Sequence, residues 1–536
     1  MRKKKYLFTN TVGIATILFL SSCRSSELEN TLSVGGSSAV NFKLLGTEYA
    51  DSVKLSGQAS LAKGGAVNSG DQLQRHSVLI TPSSVITAEL SPASTTSRVS
   101  ANASLGIKPL AAVSGNPLTS GMKFRIIAYK NNGDYQTHQD YTVGEAATPM
   151  MLDNGVAYHI VTYSYGTTSL PVISSGEQTN ISSATVNYDD ANRDFMYQNI
   201  AFTPTNSSET LNITLRHKLS QITAIVNSVG LGNITNITGG VLTPHYSNGV
   251  VSLSTGVMSG RSSTTSGAVL NFPSTGFPGI TQSSSPVFVN ADSGGNATGG
   301  FSADITVNGT TKTISLPNAF KITPENKSNL TINLRKCGAY TGPNTDPSNF
   351  KEFMCQNLGA TSGVDPFSPE AGNHGAKYQW GAQTGETGRY ISQADDQASS
   401  GAISGWNTTA KPNGSWSDTS KTANDPCPSG YRVPTNAQWQ AVLDNNTVER
   451  VGSWSDGNYT TALYFRSPSN QRTLMLPAAG SRLYSDGSLG YRGYLGYYWS
   501  SSEATSNAYD LYFISSSVTV GNGTRARGFS VRCIAE

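Results

Sequence analysis

Leu211-Asn212-Ile213-Thr214-Leu215-Arg216 alternates apolar and polar residues without a break. Period two puts the three apolar side chains on one face of a strand and the three polar ones on the other, so one face is dry and one is wet. Leu330-Thr331-Ile332-Asn333-Leu334-Arg335 repeats the pattern. Between them, Asn308-Gly309 separates Asp304-Ile305-Thr306-Val307 from Thr313-Ile314-Ser315-Leu316. That is a two-residue hairpin signal, because both turn positions tolerate positive φ. Asn132-Gly133 is expected to play the same part after Phe124-Arg125-Ile126-Ile127-Ala128-Tyr129. Helical periodicity is scarce. Strands with one dry face must pack sheet on sheet, so the expected class is mainly β, built of antiparallel sandwiches.

Composition divides the chain in two. All six tryptophans, Trp380, Trp406, Trp416, Trp439, Trp454 and Trp499, follow residue 337, and the earlier two-thirds is rich in Ser, Thr, Asn and Gly. The shift marks a domain boundary near Lys336. A length of 536 residues suggests three domains. Only 13% of residues are charged, which gives no support to nucleic-acid binding.

The N-terminus sets the compartment. Arg2-Lys3-Lys4-Lys5 precedes an apolar run ending Ile14-Ala15-Thr16-Ile17-Leu18-Phe19-Leu20, then Ser21-Ser22-Cys23. A basic segment, an apolar segment and small residues are the parts of a secretory signal. The run is shorter than the ~20 residues that a spanning helix needs. Leu20-Ser21-Ser22-Cys23 resembles a bacterial lipobox, which implies a signal peptide over 1–22, lipidation (palmitate among the acyl chains) at Cys23, and an outer-membrane anchor. Removing the four basic residues of the signal takes the formal charge from +3 down by four to −1. Residues 23–37 read as a polar tether. Four further cysteines, Cys337, Cys355, Cys427 and Cys533, in an exported chain read as two disulfides, with three possible connectivities. No C-x-x-C and no histidine cluster occurs, so neither a metal nor a cofactor is expected.

Gly121-Met122-Lys123-Phe124-Arg125-Ile126-Ile127-Ala128-Tyr129, Leu152-Asp153-Asn154-Gly155-Val156-Ala157-Tyr158 and Tyr163-Ser164-Tyr165-Gly166 resemble the N-terminal domain of fimbrillin-family proteins. Leu215-Arg216-His217-Lys218-Leu219-Ser220-Gln221-Ile222 resembles the strand pair that opens their second domain. The resemblance implies two transthyretin-like β-sandwich domains, placed at 38–188 and 189–336. His217 is read as structural. The same resemblance implies assembly with other pilin subunits by strand exchange. A protease would remove Val40-Asn41-Phe42-Lys43-Leu44-Leu45 as a first strand, with Arg75 as the candidate cut site, and a neighbour's strand would fill the open edge.

From Cys337 onward the motifs sharpen. Phe353-Met354-Cys355-Gln356-Asn357-Leu358-Gly359, Pro426-Cys427-Pro428-Ser429-Gly430-Tyr431-Arg432-Val433-Pro434-Thr435, Leu476-Pro477-Ala478-Ala479-Gly480, Tyr498-Trp499-Ser500-Ser501 and Gly528-Phe529-Ser530-Val531-Arg532-Cys533 occur in this order. Together they resemble the Fibrobacter succinogenes major paralogous domain. This implies an α+β C-type-lectin-like fold over 337–536, related to the formylglycine-generating enzyme. Thr435-Asn436-Ala437-Gln438 reads as a capping box, and Trp439, Val442 and Leu443 then share one helix face. In the last strand Phe529, Val531 and Cys533 point to one side. With the resemblance, this favours Cys337 pairing with Cys355 and Cys427 with Cys533.

The related enzymes need a reactive cysteine pair in an open cleft, whereas Cys427 and Cys533 occupy framework positions. The chain is therefore not expected to be an enzyme, and a sulfatase-modifying-type activity is the least favoured reading. No pair of carboxylates is singled out for glycosidase chemistry. The Glu-Pro-Asn and Trp-Asn-Asp motifs of calcium-dependent lectins are absent from 337–536. What remains is a lectin-like shell with aromatic, glycine-rich loops. The candidate ligand-binding residues are Trp406, Trp416, Tyr484, Asp486, Tyr491, Arg492 and Tyr494, taken as an aromatic platform for a host or microbial glycan or protein ligand. For Trp406 and Trp416 packing is an equal alternative, and Trp499 is read as core. The expected function is adhesion from the cell surface, as a type V pilus tip subunit. The alternative is a glycan-capture lipoprotein of the outer membrane that does not polymerise.

Overall fold

The computed structural model describes residues 36–50, 73–93, 116 and 118–536; Cys23 and nearly all of the tether lie outside the described residues. Strand takes 45% of the described residues and helix 6%, so the mainly β class holds.

The first sheet has seven strands, in the order Tyr135–Thr142, Lys123–Lys130, Tyr158–Ser164, Met196–Phe202, Ser208–His217, Ser37–Glu48, Met150–Asp153. Phe124, Ile126 and Ala128 face one core with Val40, Phe42, Ile213 and Leu215. Ile127 and Tyr129 face a second core, closed by Ile181, Val186, Tyr188 and Val251. Burial on both faces explains the near-continuous apolar run in that strand. Leu211–Arg216 keeps its period: Ile213 and Leu215 are fully buried. His217 is structural, stacked on Tyr49 with ring centroids 4.2 Å apart and hydrogen-bonded to Asp194.

The second sandwich is two sheets face to face. One runs Thr281–Ser283, Ser220–Asn227, Lys327–Lys336, Ser84–Pro92, Gln74–Thr81. The other runs Ala268–Val269, Ile234–Thr243, Gly299–Val307, Thr310–Phe320. Ile222, Ala224, Leu330 and Ile332 of the first meet Leu242, Phe301, Ile305 and Leu316 of the second in one core. Asn308 and Gly309 sit at φ 48° and 77°, the two-residue turn expected. Asn132-Gly133 differs. Lys130 N–H bonds Asp134 O at 2.8 Å and Gly133 N–H bonds Lys130 O at 2.7 Å, so the loop has three residues. There only Gly133, at φ 91°, is left-handed.

The expected break at 188/189 is displaced. Strands Met196–Phe202 and Ser208–His217 complete the first sheet, and the chain crosses to the second at Lys218-Leu219. The hairpin Gln74–Thr81/Ser84–Pro92 also departs from the expected order, because it joins the second sandwich although it precedes most of the first. Leu330 pairs with Leu90 and Asn333 with Thr87 in that ladder.

The C-terminal region has short sheets and two helices, Gln393–Ala398 and Asn436–Asn445. Thr435 and Gln438 form the full capping box, and Trp439 and Val442 are buried. Both expected disulfides are present, Cys337–Cys355 and Cys427–Cys533. This region is docked on the hairpin turn. Cys337 N–H bonds Ser83 O at 2.8 Å and Cys355 N–H bonds Pro82 O at 2.7 Å. Tyr431 OH reaches Ser83 Oγ at 2.9 Å. Val85 is buried against Cys337, Cys355, Tyr464 and Met475.

Candidate functional site

The glycine-rich loops of the C-terminal region turn their tryptophans inward. Trp416 is fully buried, donates from Nε1 to Asn424 O at 2.9 Å, and packs against Trp380 at 5.7 Å between centroids. Trp406 is buried beneath Gly487 and Gly528, where an added Cβ would come within 2.8 and 3.1 Å of its ring. The missing side chains let backbone close over the indole. Packing is therefore the role of both, and the reading of Trp406 and Trp416 as an exposed platform is corrected. Trp499 is core as expected, with Nε1 donating to Tyr378 O at 2.7 Å.

Arg492 also points inward, to a buried charge cluster. Asp396 accepts from Arg482 Nε at 2.7 Å and from Arg492 Nη2 at 2.9 Å, with Lys377 Nζ at 3.6 Å. Burial alone would raise the Asp396 carboxyl; Lys377, Arg482 and Arg492 outweigh it and hold it below the usual range. Burial pushes Lys377 down. His374 is driven down to about 3 by burial and then by Lys377 and Arg492, so it is neutral. The cluster pins helix Gln393–Ala398 to the loop after residue 480. Asp486 serves its own turn, accepting from Ser488 N at 3.0 Å and Ser488 Oγ at 2.8 Å.

Of the predicted residues, Asp486 and the tyrosines are presented outward: Tyr484 is 51% exposed, Tyr491 43% and Tyr494 43%. Tyr491 holds a left-handed φ of 65°, rare for a non-glycine residue. Tyr494 N–H bonds its carbonyl at 3.1 Å. Arg492, anchored below, fixes this turn so that Tyr491 and Tyr494 face solvent.

The turn borders a cavity of ≈ 390 Å³ on the sheet formed by Gly496–Ala504, Asn507–Phe513 and Val518–Thr524. Tyr497 pairs directly with Tyr512, and Asp510 with Gly521. Strand pleat puts Asp510 and Tyr512 on the same face. The cavity exists because the third strand reads Gly521-Asn522-Gly523 there. A Cβ at Gly523 would lie 3.3 Å from Asp510 Oδ2 and 3.2 Å from Phe529. Tyr497 stacks on Phe529 at 4.6 Å and lies 5.0 Å from Tyr512 at a 34° tilt. At the rim Asn507 Nδ2 donates to Asn522 Oδ1 at 2.9 Å.

Asp510 is 3% exposed, and among the described residues none donates a hydrogen bond to its carboxylate. Burial pushes this carboxyl up to about 7, against a lowering pull from Arg527, which also lines the cavity. Tyr497 is pushed up to about 12, first by burial and then by Tyr512, with a smaller contribution from Tyr491. Tyr512 is raised by burial and by Tyr494. Tyr491 and Tyr494 are thus near enough to the cavity tyrosines to act on them electrostatically. Sequence reasoning missed Tyr497, Asp510, Tyr512 and Arg527. The available signal was an acid inside the otherwise apolar strand Ala508-Tyr509-Asp510-Leu511-Tyr512-Phe513, followed by glycines at alternate positions.

Arg75 lies on the edge strand Gln74–Thr81, paired with Glu89 in the ladder. Its guanidinium is 3.0 Å from Glu89 and 3.5 Å from Asp365. A protease must open this edge to reach the bond. No helix among the described residues is long and apolar enough to cross a membrane.

Residues 458–534 match a domain family of unknown function, DUF8237, and every residue lining the cavity falls in that segment. No curated protein matches the sequence. Among solved structures, the chain is similar to a proposed cell adhesion protein of Bacteroides uniformis, at 12% identity and TM-score 0.28, over 41% of this chain and 92% of that one. A second, from Bacteroides fragilis, shows 13% identity and TM-score 0.27, over 40% and 80%. A fimbrial assembly protein of Parabacteroides distasonis shows 9% identity and TM-score 0.25, over 40% and 88%. At such scores the likeness carries no argument about activity.

Proposed function

We propose that this chain is a lipid-anchored surface adhesin whose two sandwiches present residues 337–536, and that this last region holds the ligand. The observation that carries the reading is the open cavity beside the tyrosine turn, with a buried carboxylate left unbonded against aromatic rings. A carboxylate that lines the cavity and accepts from no protein donor keeps its oxygens free to accept from a ligand. No catalytic role is included: Cys337, Cys355, Cys427 and Cys533 are all in disulfides, so no thiol pair is free. The test compares cells displaying the whole protein with cells displaying a chain that stops after Lys336, at matched surface levels. Adherence to epithelial cells and matrix proteins is expected only from the whole protein. Equal adherence by the shorter chain would move the adhesive function to the sandwiches.

Within this reading the protein serves as a pilus tip. Support comes from the fimbrillin resemblance and from the place of strand Ser37–Glu48, parallel to Ser208–His217 on one side and antiparallel to Met150–Asp153 on the other. Its loss would bare two rows of backbone donors and acceptors, a groove for a neighbouring subunit's strand. The ion-paired setting of Arg75 favours the second reading, a glycan-capture lipoprotein that stays on the outer membrane. N-terminal sequencing of surface-released protein separates them: starts after Arg75 support assembly, and starts at Cys23 alone support the static form.

A further inference from the structure

We infer that the cavity of Tyr497, Asp510, Tyr512 and Arg527 takes a neutral saccharide, one sugar ring lying against the tyrosines with its hydroxyls bonded to Asp510 and Arg527. The inference rests on the adhesin reading for its biological role and on the cavity's own chemistry for the ligand class.

Three observations select this class. The first is the unbonded carboxylate. Asp510 lines the cavity with no protein donor on its oxygens, so both are free to accept from the hydroxyls of a ligand. The second is charge. One carboxylate, Asp510, and one guanidinium, Arg527, line the cavity. A cation entering it would meet Arg527 and an anion would meet Asp510, whereas a neutral ligand with both donors and acceptors satisfies the two together. The third is ring geometry. Tyr497 and Tyr512 are 5.0 Å apart and tilted by 34°, and Tyr497 also stacks on Phe529 at 4.6 Å, so the rings overlap as one stack rather than facing one another across the cavity. A cage for a quaternary ammonium would need ring faces opposed across the cavity. The partly exposed Tyr512 at the end of this stack instead offers an apolar ring surface with few rotatable bonds, at low entropic cost. A volume of ≈ 390 Å³ lies at the small end of ligand cavities, suited to one ring rather than an extended chain. The Asn507–Asn522 pair at the mouth adds amides that hydroxyl-rich ligands use.

The test uses the full-length purified protein and saturation-transfer NMR. The neutral probes are the methyl glycosides of glucose, galactose, mannose and N-acetylglucosamine. A methyl sialoside and choline serve as the anionic and cationic probes. At least one neutral glycoside is expected to receive saturation and both charged probes none. Asp510→Ala and Tyr512→Ala should each weaken binding by about tenfold or more, while Thr447→Ala, at the exposed start of strand Thr447–Val451 in another sheet, leaves it unchanged. Tyr512 is half-exposed, so its truncation preserves the fold and keeps the test valid if Asp510→Ala unfolds. Saturation of a charged probe instead, of no probe, or binding insensitive to both cavity substitutions would overturn the inference. If Tyr512→Ala abolishes cell adherence while no glycoside binds, the ligand class is wrong and the adhesin reading stands. If a glycoside binds but neither it nor Tyr512→Ala affects adherence, the cavity is a sugar site and the adhesin reading fails.

Discussion

Asp510→Asn should stabilise the C-terminal region at alkaline pH and do little at acid pH. Burial carries this carboxyl from its ordinary 3.8 up to about 7, and each pH unit of displacement corresponds to about 1.36 kcal/mol. The folded pKa lies above the unfolded one, so between these two values the folded protein holds a proton that the unfolded chain has released. Stability therefore falls as pH rises through that window, and above it the cost of the buried anion approaches about 4 kcal/mol as an upper bound. Asparagine keeps the volume and cannot ionise. Any penalty for its amide is the same at every pH and cancels when the variant's effect at pH 8 is compared with its effect at pH 4. All six tryptophans lie after residue 337, so tryptophan fluorescence during urea unfolding reports this region without interference from the sandwiches. A gain of several kcal/mol at pH 8 that vanishes at pH 4 is the expected result. Equal effects at both pH values would refute the buried, unbonded carboxylate.

The disulfides should differ in weight. Cys427–Cys533 spans 106 residues and Cys337–Cys355 spans 18, so in the chain-entropy treatment their losses cost about 4.7 and about 3 kcal/mol; Cys533→Ser outlasting Cys355→Ser on heating would contradict this. Asp396→Asn leaves Lys377, Arg482 and Arg492 without their buried counter-charge and should cost about 3–5 kcal/mol. Hydrogen exchange should then quicken across the Tyr491–Tyr494 turn, and unchanged protection there would separate the charge cluster from the turn it is argued to hold. Cys23→Ala should abolish labelling by radioactive palmitate and leave the signal uncut, whereas equal labelling of variant and parent would disprove the lipobox.

Features encoded within a few residues were legible in the sequence. Alternation at Leu211–Arg216 and Leu330–Arg335 gave buried Ile213, Leu215, Leu330 and Ile332. Asn308-Gly309 gave the turn, and Thr435 gave the cap. Period two reports that a strand has two faces, yet it is silent on which strand lies beside it. The hairpin Gln74–Thr81/Ser84–Pro92 therefore could not be assigned to the second sandwich, since its partner Lys327–Lys336 lies some 240 residues away in sequence, Thr87 pairing with Asn333. The break at 188 failed for the same reason. The site was legible only at its rim. Tyr491 and Tyr494 were found as loop aromatics, whereas Gly487 and Gly528 let backbone seal Trp406 and Trp416 packs inward on Trp380. Asp510 escaped notice because a charge in a strand is ordinarily its wet face. Asp510 is largely covered because Tyr497 and Phe529 line the same cavity beside it, an arrangement that crosses three segments.

The order of segments along the chain makes the two proposed roles compatible. Strand Ser37–Glu48, which would have to leave for strand exchange, lies before Arg75. The turn Pro82-Ser83, which holds the C-terminal region through the amides of Cys337 and Cys355, lies after it. A cut at Arg75 would thus free the first strand and leave the docking hairpin paired to Lys327–Lys336 over nine residue pairs. Most of its ladder to Gln74–Thr81 would also remain. Pulling force on a ligand in the Asp510 cavity would then pass through Cys337–Cys355 and the hairpin into the second sandwich, whether or not the first sandwich has exchanged its strand. Substituting Ser83 and Val85 together should uncouple the two. Proteolysis between the second sandwich and residue 337 would quicken while glycoside binding at the cavity persisted. Loss of that binding with the hairpin contact would show instead that the cavity depends on docking.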